Sequence, residues 1–451
     1  MCGWWAIATS VSAWGQNYFQ QQTDYIIRVR LDDQKHRLTA TEEIRYTNNS
    51  SDVLKEMYFH LWPNAYSSKR TAWAKQMVEN GKSEFHFAPK SQRGYIAGLD
   101  FKVDGRPVKW QKDPFNPDVA RLDLADYPIA PGQTVVVSTP FEVQIPASFS
   151  RLGRVGQQYQ ITQWYPKPAV YDRFGWHPMP YLDQGEFYSE FGTFDVYIDI
   201  PSEYVVGATG DLQFDTPDAA KEVEFLRERE RLSRQLLSRT LPKDSLPFPT
   251  KTLDGRKVLH FRQDRCHDFA WFCDKQYYVL TSSMNLPESG RTVKLVAMFN
   301  DKHKKNWAAA TDYLRDAIYY YSTWVGEYPY NVVTAVDGAL SAGGGMEYPT
   351  ITVVSGGGGP DALREVIVHE VGHNWFYGIL GSNERDHPWM DEGLNSYYEY
   401  RTTDLLRETE MQKNPGVKPK IGAMGIRIPF RGGQSVTEYM RLAVQYAEGN
   451  G

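Results

Sequence analysis

Two histidines four residues apart, with a glutamate beside the first, are the residues in this sequence best equipped for chemistry. They read His369-Glu370-Val371-Gly372-His373, and Glu392 follows after eighteen intervening residues. On a helix, His369 and His373 share one face, a turn apart. That spacing lets two imidazoles converge on one zinc ion, with Glu370 beside them as general base. Catalytic zinc usually takes three protein ligands and keeps a fourth position open for water, so a third donor must come from elsewhere. Glu392 is placed to be that donor, which implies one zinc per chain. With 10 histidines in 451 residues, the constellation seldom arises by chance. The plain alternative is an amphipathic helix whose histidines are merely half-buried.

Two helices must hold these residues. Pro360 and Asp361 suit a first turn, and Leu363, Val366, Ile367 and Val371 fall near helical spacing. The pattern predicts a helix running to about Leu380 and stopped by Gly381. A second helix starts at Pro388, with Glu392, Asn395, Ser396 and Glu399 along one side. A carboxylate on a buried side is costly unless it meets a cation, and zinc meets that need for Glu392. Glu399, two turns on, reads equally as a group that orients a zinc histidine or as a surface charge.

The stretch VIVHEVGHNWFYGILGSNERDHPWMDEGLNSYYEYR, from Val366 to Arg401, resembles the zinc core of the M1 aminopeptidases. Their first helix usually reads HExxHxWFGN and their third-ligand helix W-L-N-E-G-F-A. Trp375-Phe376-Tyr377-Gly378 and Trp389-Met390-Asp391-Glu392-Gly393 stand in those places. Twenty-two residues before His369, Gly344-Gly345-Met346-Glu347-Tyr348 resembles the G-A-M-E-N exopeptidase motif. The resemblance implies that Glu347, with Gly344 and Gly345, binds the free amino terminus of a substrate. Gly345 replaces Ala, a mild change, and Tyr348 replaces Asn, which alters the peptide-binding edge. Thr162-Gln163-Trp164 resembles a family T-Q pair whose Gln helps hold the substrate amine; an acidic residue can follow there, where this chain has Tyr165. The plain reading of Gln163 is a polar strand residue.

The chemistry of the residues agrees with what the resemblance implies. Zinc lowers the pKa of its water and polarises a scissile carbonyl. Glu370 takes the water's proton and passes it to the leaving amine. Glu347 accepts charge-assisted hydrogen bonds from an ammonium and so admits chain ends. The expectation is a zinc-dependent aminopeptidase acting on peptides with a free amino terminus. Two rivals stand beside it: a zinc endopeptidase, and a non-catalytic peptide-binding protein on the same fold. Family members stabilise the oxyanion with a tyrosine well downstream of the third ligand. Tyr439 and Tyr446 are the last tyrosines here and neither has family context. The expectation is therefore a C-terminally incomplete chain.

Composition sets the outer bounds. A length of 451 residues suggests about two to four domains. Hydrophobic content is 41%, ample for real cores, and aromatics reach 14%, which suits a sheet-rich protein with a cleft. A net charge of −5 carries no nucleic-acid footprint. No apolar run approaches a membrane span. Within residues 1–15, the stretch Cys2 to Gly15 is uncharged and mostly apolar or small, with Ala13-Trp14-Gly15 like a cleavage site, although it lacks a basic n-region. A degenerate signal peptide, and hence export, is the expectation. Cys266 and Cys273, seven apart, are free to pair or to remain thiols. Oligomeric state is not legible.

Along the chain, the pattern predicts an α+β multidomain protein. Alternation at Ala40, Ile44 and Tyr46, from Val135 to Ile145, and at Phe194, Val196, Ile198 and Ile200 marks strands. These belong to a β-rich domain over residues 16–290, which resembles the saddle-like amino-terminal domain of the M1 family. Residues 217–250 interrupt it, and the charge-dense stretch Ala219 to Leu241 reads as an exposed helical insertion. Residues 291–451 form the second domain, expected to be thermolysin-like and mainly α. Trp307, Leu314, Ile318, Tyr321 and Val325 make a helical core stripe there. Gly326-Glu327-Tyr328-Pro329-Tyr330 ends it, and a strand around Val332 to Val336 leads to the Glu347 edge.

Overall fold

A computed structural model describes residues 18–242, 246–248, 255–339, 344–355 and 358–413. The expected signal peptide, Tyr439 and Tyr446 lie outside them. Alternating burial builds the first domain. Gln22–Asp32 and Arg37–Thr47 bury every second side chain and pair antiparallel along their whole length. Thr134–Gln144 and Gly192–Pro201 extend the same sheet on either side, and Arg256–Cys266 follows. Nine strands belong to it among the described residues. The alternation holds so strictly that Glu42 points into the core with both carboxylate oxygens unpartnered. Burial pushes its pKa well above the usual carboxylate range. Cys266 and Cys273 are both buried and free.

The second core is organised by a mixed five-stranded sheet. Tyr278–Asn285 pairs antiparallel with Thr292–Phe299, and Val332–Gly338 and Ile351–Ser355 add in parallel. Gly345–Tyr348 closes the order as an antiparallel edge strand. The expected boundary at residue 290 therefore falls inside a hairpin. Tyr278, Leu280 and Leu286 already pack into the second core with Trp307, Leu314 and Ile318. We propose a boundary ahead of Tyr278, because splitting a hydrogen-bonded hairpin would expose its ladder. Helix Ala310–Trp324 carries the expected stripe, with Leu314, Ile318 and Tyr321 fully buried.

The charged helix Ala219–Leu236 is more than an exposed insertion. Its outer face is solvated, but its inner face buries Glu222, Arg229 and Ser233. Glu222 pairs with Lys257 on the first sheet, while Ser233 accepts the Val279 N–H and Glu230 the Thr281 N–H of the second. The helix thus bridges the two sheets through these polar groups and through apolar ones, Phe225 and Leu226 packing on the first core and Leu232 and Leu236 on the second. No described helix is long and apolar enough to cross a membrane.

Candidate metal centre

The first zinc helix spans Pro360–Gly372, with proline in its first turn and Leu363, Ile367, Val368 and Val371 buried. It packs between the helices Ala310–Trp324 and Leu394–Lys413. Gly372 makes that packing tight. A Cβ there would collide with the Asn395 amide and the Tyr321 hydroxyl, which are themselves hydrogen-bonded at 2.8 Å.

The expected run to Leu380 does not continue as helix. Asn374 donates its side-chain amide to the Val371 carbonyl and accepts the Thr350 N–H, so it competes with the ladder. The chain then turns through Tyr377, a non-glycine residue at φ 91°. His373 becomes the residue that ends the helix, and Gly381, at φ 57°, closes the turns beyond it. The second helix begins with a π-helical turn, Trp389–Gly393, which runs into Leu394–Lys413. Such turns recur at functional sites, and this one carries Glu392.

The three expected donors converge. His369 Nε2 lies 3.1 Å from His373 Nε2 and 3.3 Å from Glu392 Oε2, and His373 Nε2 is 3.9 Å from the same oxygen. A tetrahedral shell with bonds of about 2.0–2.1 Å has edges of about 3.3 Å. The triangle is therefore of the size that one zinc ion spans, and its two nitrogens and one carboxylate suit zinc. A second combination, Glu347, Glu370 and His373, also brings donor atoms within 4.8 Å of one another. It would leave His369 unused, so the first set is the better zinc site.

Each imidazole is oriented from behind. His373 Nδ1 is hydrogen-bonded to the fully buried Asp391 carboxylate, which turns the Nε2 lone pair toward the other donors. Glu399 is 5% exposed and its Oε2 stands 3.7 Å from His369 Nδ1. It is a buried partner of His369, not a surface charge. Asn395 donates to the His369 carbonyl at 2.7 Å. Asp391 escaped the sequence reading because it stands where the family motif carries an amide; burial next to Glu392 is what gives it a role.

These groups form an ion-paired cluster. Burial works against the charge on both histidines, but Glu392 and Glu399 raise His369 well above 6.5, and Asp391 takes His373 to about 10. The Glu392 side chain is 46% exposed, so the upward push of partial desolvation is limited, and the hydrogen bond from His369 and the charge of His373 bring its pKa down to about 2. Glu370 is pushed up to about 7 by burial, with the two histidines opposing. Its Oε2 is buried and unpartnered, so this oxygen is available to a proton.

Glu347 lies on the edge strand, and its carboxylate is within 4.8 Å of donor atoms of both His373 and Glu370. Gly344 precedes that strand and Gly345 opens it. The replacement of alanine by Gly345 is not mild in this setting, because a Cβ there would occupy the volume of the Glu370 carboxylate. Gly345→Ala should displace Glu370 while leaving the three metal donors in place. Turnover is expected to fall by about 10- to 100-fold, the scale of a misplaced catalytic group, with zinc content unchanged. Wild-type turnover in that variant would show that Glu370 has room to move.

Gln163 is buried at φ 46°, and its Oε1 accepts from the Tyr348 hydroxyl at 2.9 Å. Thus the tyrosine that departs from the family motif is tied to the glutamine. Gln163 Nε2 has no partner. Tyr165 faces the first core and donates to Asp268. Glu186, from the first domain, adds a further carboxylate close to the site; it is paired with the buried Arg151, which also donates to Met346 Sδ at 3.1 Å.

No family model matches the chain. Among curated proteins, 65 residues align at 34% identity with aminopeptidase B of Rattus norvegicus, and equally with those of Mus musculus and Homo sapiens. The match covers 14% of this chain and 10% of each relative. Among solved structures, a two-domain M1 zinc metallopeptidase, a Glu-to-Ala mutant bound to L-arginine, aligns over 87% of this chain and 72% of its own. The TM-score is 0.50 at 14% identity, so the likeness is one of architecture. The chain has the two-domain fold of the M1 zinc metallopeptidases.

Proposed function

We propose that this protein is a zinc-dependent aminopeptidase that hydrolyses the first peptide bond of peptides with a free amino terminus. The observation that carries the reading is the position of Glu347. Its carboxylate stands beside His373 and Glu370 on the edge strand of the second sheet. His369, His373 and Glu392 would hold one zinc ion, which when bound activates a water and polarises the carbonyl. Glu370 accepts the proton from that water through its unpartnered oxygen and returns it to the leaving amine. Glu347 binds the substrate ammonium and sets its distance from the donors, so that the first peptide bond lies at the reacting position. The free edge of Gly345–Tyr348 offers backbone groups to an extended peptide. The partner is a peptide chain end.

A blocked amine tests this directly. Acetylation removes a charge-assisted hydrogen bond and leaves Glu347 facing an uncharged group. The loss is about 2–4 kcal/mol, or about 30- to 1,000-fold in kcat/KM. Glu347→Ala should impair cleavage of free peptides and narrow the gap between free and acetylated ones. Equal cleavage of both by the wild type would replace this reading with that of an endopeptidase.

A further inference from the structure

A second group of carboxylates lies beside the zinc donors. Oxygens of Glu347, Glu384 and Asp391 all fall within 4.8 Å of one another. An acidic cluster alone indicates little, but two of these side chains are sealed from solvent and aimed inward. Glu384 is 1% exposed, and its two buried oxygens meet no N–H or hydroxyl donor; their polar neighbour is the Asp391 carboxyl of the same cluster. Asp391 is 0% exposed; one oxygen takes the His373 imidazole and the other, Oδ2, has no partner. Arg151 pairs with Glu186, and Arg385 donates Nε and Nη1 to the carbonyls of Glu186 and Pro180, with its Nη2 buried and making no hydrogen bond to the cluster. Among the described residues no ion pair reaches Glu384.

Buried carboxylates at this density need a proton or a cation between them. The donor set contains oxygen only, unlike the two-nitrogen set a few ångströms away, and oxygen donors select hard cations. Shell geometry narrows the choice. Ca2+ accepts irregular shells of oxygen ligands, whereas Mg2+ demands near-ideal octahedral geometry and usually keeps several waters instead of a cage of protein groups. We propose that Glu347, Glu384 and Asp391 form a second cation site, distinct from the zinc site, that takes Ca2+. Because Glu347 belongs to this site and, in the proposed function, also receives the substrate ammonium, Ca2+ and the free amino terminus compete. Ca2+ is therefore an inhibitor that raises KM for peptides with a free amine and leaves kcat unchanged.

The test counts metals on the full chain loaded with one zinc. Calorimetric titration with CaCl2 should show one further Ca2+ per chain, at millimolar affinity or better. Glu384→Gln keeps the side-chain shape and removes the charge; it should weaken Ca2+ binding at least 10-fold while zinc content stays at one. Glu347→Gln should do the same from the strand Gly345–Tyr348, so the result does not depend on one variant folding. Absence of Ca2+ binding by the zinc-loaded wild type would overturn the proposal in favour of carboxyl groups that share protons. So would variants that bind Ca2+ as the wild type does. A wild-type chain that fails to hold zinc at all would instead refute the proposed peptidase function, and the two failures are read separately.

Discussion

Glu370→Gln is expected to hold a full zinc ion and to lose about 10³- to 10⁴-fold in turnover. Glutamine keeps the volume that Glu370 occupies against Gly345 but cannot accept a proton. The donor triangle of His369, His373 and Glu392 is untouched, because Glu370 is not one of its corners. The same variant separates the two arrangements of donors. Were the metal held by Glu347, Glu370 and His373, loss of the Glu370 charge would strip it. Metal analysis and single-turnover kinetics on one preparation therefore decide both points. Zinc lost with activity would assign Glu370 as a ligand, and near wild-type turnover would remove it from the reaction.

The legible part of this protein was the part written in fixed spacings. Three residues between the histidines, and eighteen before Glu392, were enough to place three donors that the fold brings within 3.9 Å of one another. Strand alternation likewise carried the first sheet, even through Glu42, where the pattern holds and the residue type breaks it. What the sequence could not show depends on contacts between distant segments. The end of the first zinc helix at Gly372 needs Thr350 to engage Asn374, and no local signal reports that meeting. The same is true of the bridging helix. Its few apolar residues are diluted by charge, and they pack on two different cores while Lys257, Val279 and Thr281 hold its polar groups. Asp391 and Glu384 were invisible for a related reason. A carboxylate discloses its role only when burial and neighbours are known.

His373→Ala should lose most of its bound zinc, and its effect should exceed the loss of one ligand. His373 is 2% exposed and supplies one corner of the donor triangle. It also neutralises Asp391, whose other oxygen already faces Glu384 without a partner. Truncation therefore leaves two buried carboxylates in contact with no cation between them. Breaking a buried pair in this way costs about 3–5 kcal/mol, so the variant should unfold at lower temperature even when compared with the zinc-free wild type. Asp391→Asn provides the control. It keeps a hydrogen-bond acceptor for His373 but removes the charge, and zinc affinity should fall by about 10- to 100-fold without the same loss of stability. The expected order of zinc content is wild type, then Asp391→Asn, then His373→Ala, by elemental analysis after dialysis against a weak chelator. Full zinc occupancy in His373→Ala would remove His373 from the ligand set, and with it the zinc site proposed for this chain.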